Sequence, residues 1–102
     1  MAAICSVLHL RCPPGRLDEA LAQFEAARVL ETCREAVPGF INGRLLRSLD
    51  DDATACVICE WESREAFEQW QASPRRRVDI PERLFEPSGR SAVYAQVREV
   101  HR

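Results

Sequence analysis

At Ser63 the hydrophobic period of this chain changes. From Ala53 to Trp61 the run "ATACVICEW" alternates, as a half-buried strand does; Ala66, Phe67 and Trp70 then recur at helical spacing. A strand and the helix that follows it are therefore joined at mid-chain, and the same test applied outward predicts their neighbours. "AICSVLHLR" alternates over Ala3 to Arg11 until "CPPG" stops it. "RLDEALAQFEAARVLETCREA" carries Leu17, Leu21, Phe24, Ala27 and Leu30 at helical spacing. Asp18 and Glu19 sit in its first turn, where the helix dipole favours acids, and it ends before Pro38 and Gly39. "FINGRLLRSL" is extended and meets "ATACVICEW" across Asp50, Asp51 and Asp52, an acidic hairpin turn. Ser63 is the expected N-cap of the second helix, which stops near Ser73. "SPRRRVDIPERLF" begins with another helix-start signature, serine then proline, and is limited by Pro81. "SAVYAQVREV" reads as the last strand. The order βαββαβ predicts one α+β domain over residues 1–102 of ferredoxin-like arrangement: a four-stranded antiparallel sheet with helices on one face.

Composition narrows the function classes. A chain of 102 residues, 46% hydrophobic and 29% charged, suits one globular domain with a single core. Its formal charge of −2 offers no basic field for a phosphate backbone, so nucleic acid is not an expected partner. The apolar opening "MAAICSVLHL" lacks a basic n-region and is too short to span a bilayer, which predicts a cytoplasmic protein with no export signal and no membrane partner. All 14 basic side chains are arginine. Schiff-base chemistry and a P-loop lysine are thereby excluded. Five cysteines, an odd number, read as reduced thiols rather than a disulfide framework. "CVIC" has metal-ligand spacing, but on a strand Cys56 and Cys59 point to opposite faces, and both read as small buried hydrophobes. There is no glycine-rich dinucleotide fingerprint, no HxxE-type metal spacing and no nucleophile beside a base, so neither a cofactor nor a metal is expected.

The alternation also divides the sheet faces. Ile4, Ser6, Leu8 and Leu10 share one side of the first strand, with Cys5, Val7, His9 and Arg11 on the other. Ala55, Val57, Cys59 and Trp61 share one side of the third strand, with Cys56, Ile58 and Glu60 opposite. The more apolar sides should face the helices. The other face retains Val7, Ile58 and Leu46, too apolar for water, and predicts association with a second copy as a two-fold homodimer.

Residues 37 to 77, "VPGFINGRLLRSLDDDATACVICEWESREAFEQWQASPRRR", resemble the antibiotic biosynthesis monooxygenase family of the dimeric α/β-barrel superfamily. The shared features are a proline-glycine before strand two, a glutamate-tryptophan ending strand three and the "SREAF" helix with its tryptophan; "VYAQVREV" fits the last strand. The resemblance implies a homodimer and a cavity between sheet and helices, with Trp61, Phe67 and Trp70 among its walls. It implies oxygenation of a small hydroxyaromatic to a quinone by dioxygen without a cofactor. The sequence departs from two branches of that family. The cofactor-independent branch has asparagine four residues before the strand-three tryptophan and tyrosine soon after it, where this chain has Val57 and Phe67. The haem-degrading branch places its polar groups at positions that are here Leu8 and Ile80, so haem is not expected.

The candidate substrate pocket is accordingly Leu8, Phe24, Val57, Trp61, Phe67 and Trp70. Trp61 and His9 are the candidate catalytic residues, the imidazole because its ordinary pKa suits deprotonation of a phenol. Arg75, Arg76 and Arg77 are expected in the first turn of a helix, where cations are unfavourable and something negative should offset them; Arg75 and Arg76 are a candidate anion contact or else partners of nearby acids. His101 reads as solvated and Arg44 and Arg47 as surface or interface charges. The alternative function is a non-catalytic or accessory dimeric domain holding a small hydrophobic ligand in the same seam.

Overall fold

The computed structural model describes residues 3–77 and 79–102. Each alternating run becomes a strand. β1 (Ile4–Arg11) pairs antiparallel with β3 (Thr54–Trp61) along its whole length, and β3 pairs antiparallel with β2 (Phe40–Arg47). On the free edge of β1 lie β4 (Glu86–Pro87), opposite Leu10 and Arg11, and β5 (Ala92–Ala95), opposite Ile4 to Val7. The order β2-β3-β1-β5 is that of the ferredoxin-like α+β fold, with the two-residue β4 as an unforeseen addition. The helices α1 (Leu17–Ala26), α2 (Val29–Ala36) and α3 (Arg64–Ala72) cover one face.

Three expectations are corrected. The first helix is two. Arg28 adopts a left-handed conformation with φ of 55°, and its N–H bonds the Glu25 carbonyl at 3.0 Å, ending α1. The cause is a phase conflict: Cys33 lies nine residues after Phe24, and at about 100° per residue an unbroken helix would point the two in opposite directions. Both are buried, at 5% and 2% exposure, which the break makes compatible. Next, "SPRRR" forms a single 3-10 turn, Pro74–Arg76, rather than a helix. Ser73 caps it, accepting from the Arg75 N–H at 3.2 Å, but one turn of three residues has no developed dipole to oppose Arg75 and Arg76. Val78, within the same run, lies outside the described residues. Last, the closing strand ends at Ala95 instead of Val100. Its register sets Ala95 against Ile4, where β1 begins, so one further bond, Gln96 N–H to the Ala3 carbonyl at 2.8 Å, ends the pairing.

Local chemistry holds the turns that frame the seam. The Ser63 hydroxyl accepts from the Ala66 N–H at 3.2 Å and starts α3. Gly39 lets α3 approach closely, because a Cβ there would lie 2.7 Å from the Ala66 Cβ. In the hairpin turn the Asp51 carboxylate accepts from the Ala53 N–H at 2.8 Å and from the Thr54 hydroxyl. Those bonds hold its pKa below the ordinary carboxylate value.

Candidate functional site

Sheet register decides which side chains meet the helices. Opposed residues in an antiparallel pair share a face, so Ser6 beside Cys59, Leu8 beside Val57, and Trp61 at the end of β3 all point under the helices. Between them and α1, α2 and α3 lies a cavity of about 400 Å³. The six residues expected as its wall, Leu8, Phe24, Val57, Trp61, Phe67 and Trp70, all line it.

Trp61 is the fixed point of this site. It is 0% exposed, and its ring meets Phe40 at 5.5 Å and Phe67 at 6.0 Å, both edge to face. The indole N–H donates to the Ser6 hydroxyl at 2.9 Å, a buried bond between strands that lie side by side. Trp61 is therefore oriented by Ser6, and its one polar atom is already engaged. Ser6 itself lines the cavity. Sequence reasoning placed Ser6 on the helix side of β1 without assigning it a role; a lone polar residue in an apolar face was the available signal.

A covering segment closes the opposite side of the cavity. Its Phe85 packs edge to face on Phe24 at 5.5 Å, and the Arg83 guanidinium lies 5.5 Å from the Phe85 ring centre. Gln23 of α1 clasps the segment from both ends of its amide, donating to the Glu82 carbonyl at 3.2 Å and accepting from the Leu84 N–H at 2.8 Å. Arg76, Arg77, Asp79 and Arg83 form the charged side of the cavity wall, with the apolar Ile80 among them. Arg75 is not among the lining residues: it pairs with Glu35 of α2 at 2.9 Å. Arg83 escaped the sequence reading because the segment between Arg77 and Pro87 has no periodicity to orient it.

His9 is on the other face of the sheet, exposed, beside Cys56, and does not line the cavity. The alternation of β1 imposes this, since Leu8 and Leu10 take the helix side. Cys33 of α2 and Cys59 of β3 line the cavity from buried positions. The hydrogen-bonding partner Cys59 first, and burial second, push the Cys33 thiol well above its ordinary pKa. A protonated thiol is neither a nucleophile nor a metal ligand. Among the described residues no group of three or more histidine, cysteine or acidic side chains is placed to hold a metal ion.

The model of antibiotic biosynthesis monooxygenases matches residues 3–78. This chain belongs to that family. The match spans β1 to the 3-10 turn and so includes the lining residues of β1, β3 and the three helices, though not Pro87 of β4. Among solved structures, SnoaB, a cofactor-independent oxygenase from Streptomyces nogalater, is 20% identical, with a TM-score of 0.70 over 98% of this chain and 97% of that one. The heme-degrader MhuD from Mycobacterium tuberculosis, solved with two hemes in its active site, is 24% identical, with a TM-score of 0.73 over 96% and 99%. A protein from Shewanella oneidensis is 15% identical, with a TM-score of 0.71 over 93% and 91%. No functionally curated protein matches the sequence. Likeness at these identities establishes the fold.

The cavity residues do not fit haem. Neither histidine nor tyrosine is among the described residues that line it, and Ile80 and Leu8 present hydrocarbon to its interior. The two thiols at its wall are engaged with each other.

Proposed function

We propose that this protein is a cofactor-independent monooxygenase that converts a small hydroxyaromatic or polyketide-like compound to a quinone with dioxygen. The observation that carries the proposal is the aromatic-walled cavity of about 400 Å³, within the usual range of small-molecule pockets. Phe67 and Trp70 bring apolar aromatic surface to the cavity wall, and Trp61, 0% exposed and held by its bond to Ser6, backs Phe67. A deprotonated hydroxyaromatic is electron-rich enough to pass an electron to dioxygen itself. The chain's part is then to exclude water and hold the ring beside dioxygen, while a proton acceptor takes the phenolic proton. His9 lies outside the cavity, so the acceptor we assign is Asp79, the only carboxylate among the described lining residues.

The likeness to SnoaB supports this reading through the fold, and the family supports it through the reaction class. The exposed side of the sheet supports a homodimer: Leu46 is 39% and Tyr94 59% exposed there, beside Val7 and Ile58. Five free thiols support a reducing, cytoplasmic compartment. Among the described residues no helix is long and apolar enough to cross a membrane.

The test is oxygen uptake with a panel of dihydroxynaphthalenes, run beside an anaerobic control. Uptake matched by quinone formation above the uncatalysed rate is the expected result. A second reading, a non-catalytic carrier of a hydrophobic ligand, rests on Val57 and Phe67, whose hydrocarbon walls supply no polar partner to a substrate. Ligand binding without oxygen uptake across the panel would favour it.

A further inference from the structure

Among the described residues that line the cavity, the charged ones are confined to one side. Arg76, Arg77 and Arg83 line that side, all three exposed, and none forms an ion pair among the described residues. The neighbouring Arg75, away from the cavity, does have an acidic partner, Glu35 at 2.9 Å. Asp79 is the one carboxylate among the described lining residues, so three guanidinium groups against one acid leave the mouth positive on a chain whose formal charge is −2. Two local elements carry the arginines: the 3-10 turn bears Arg76, with Arg77 following it, and the segment clasped by Gln23 bears Arg83. Packing against Phe85 positions the Arg83 guanidinium at the edge of the aromatic wall.

An apolar pocket with a positive rim is complementary to a molecule with a hydrocarbon body and an anion at one end. Guanidinium is suited to the planar carboxylate group, which accepts two parallel N–H bonds from it. We propose that the ligand of this cavity is an aromatic carboxylic acid, its fused rings among Trp61, Phe67 and Trp70 and its carboxylate held by Arg76, Arg77 and Arg83. This deepens the oxygenase reading by naming the substrate class, a hydroxyaromatic acid, and rests on that reading only for the hydroxyl groups. The carboxylate takes no part in the electron transfer. It fixes which end of the ring enters, and so which carbon is presented to dioxygen.

Trp61 and Trp70, the two tryptophans of the chain, both line the cavity, so intrinsic fluorescence reports occupancy directly. The experiment is an anaerobic quenching titration of the full chain with two probes, a dihydroxynaphthalene and the corresponding dihydroxynaphthoate. At low salt the naphthoate should bind about tenfold or more tightly than the neutral compound, as charged hydrogen bonds require. That advantage should shrink as salt is raised, while the neutral probe is unaffected. In the triple variant Arg76→Gln, Arg77→Gln, Arg83→Gln the two probes should bind alike. The salt titration on the unaltered protein decides the matter even if the variant is poorly folded. Equal affinities at low salt, or a preference that survives both salt and the triple variant, would overturn the carboxylate site. If neither probe quenches, the apolar pocket fails as well. If the acid is preferred but no oxygen is consumed in air, the binding site stands and the oxygenase reading falls.

Discussion

Replacing Ser6 with alanine tests the contact on which the cavity wall depends. Ser6 is 6% exposed and Trp61 0%, so the indole N–H left behind is buried without its partner. An orphaned buried donor costs about 1–3 kcal/mol, whereas the lost oxygen adds little void. For a domain of this size that corresponds to a fall in melting temperature of about 5–15 °C. A double-mutant cycle isolates the bond. Trp61→Phe removes the donor and leaves the Ser6 hydroxyl buried without its partner, and adding Ser6→Ala then removes that hydroxyl too. The second step should therefore be nearly neutral in the phenylalanine background, giving a coupling energy of about 1–3 kcal/mol. Urea denaturation followed by far-ultraviolet circular dichroism is the suitable assay, since tryptophan fluorescence changes with the substitution itself. Equal costs of Ser6→Ala in both backgrounds would refute the reasoning. The indole would then be held by packing on Phe40 and Phe67, with the hydrogen bond incidental.

Gly39→Ala should destabilise by about 1–3 kcal/mol in the same assay, because its new methyl lies 2.7 Å from the Ala66 Cβ, which has no rotamer by which to move away. Sedimentation at micromolar concentration should show a species of about twice 11.6 kDa, with Ile58→Arg on the bare sheet face shifting it to the monomer; a monomer in the unaltered protein would contradict the proposed dimer. The depressed pKa of Asp51 makes its contribution to stability complete above the unfolded value and progressively lost as pH falls through the folded one. Urea midpoints of the parent and of Asp51→Ala should therefore differ at pH about 6, well above the ordinary carboxylate range, and converge as pH falls below that range and through the lowered folded value.

Period and punctuation in the sequence determined the ferredoxin-like order of elements, the helix side of β1 and β3, and the Ser63 cap, because each depends on residues near one another in the chain. The cavity's aromatic wall was legible for the same reason: Trp61, Phe67 and Trp70 lie on a strand and helix whose faces follow from spacing, and the family resemblance put them together. The break at Arg28 was legible in principle, since the Phe24-to-Cys33 spacing violates one helical phase, but it becomes decisive only when both side chains must enter one core. Tertiary structure alone decided the rest. No local rule joins Ser6 to Trp61 across 55 residues; the register of β1 on β3 does. No periodicity orients the segment after Arg77; Gln23 does, through bonds to residues 59 and 61 positions away in the chain. That closure separates Arg75, paired with Glu35, from Arg76 and Arg77, which line the cavity with Arg83. Three adjacent arginines are equivalent in sequence, and only the packed chain gives each a different neighbour.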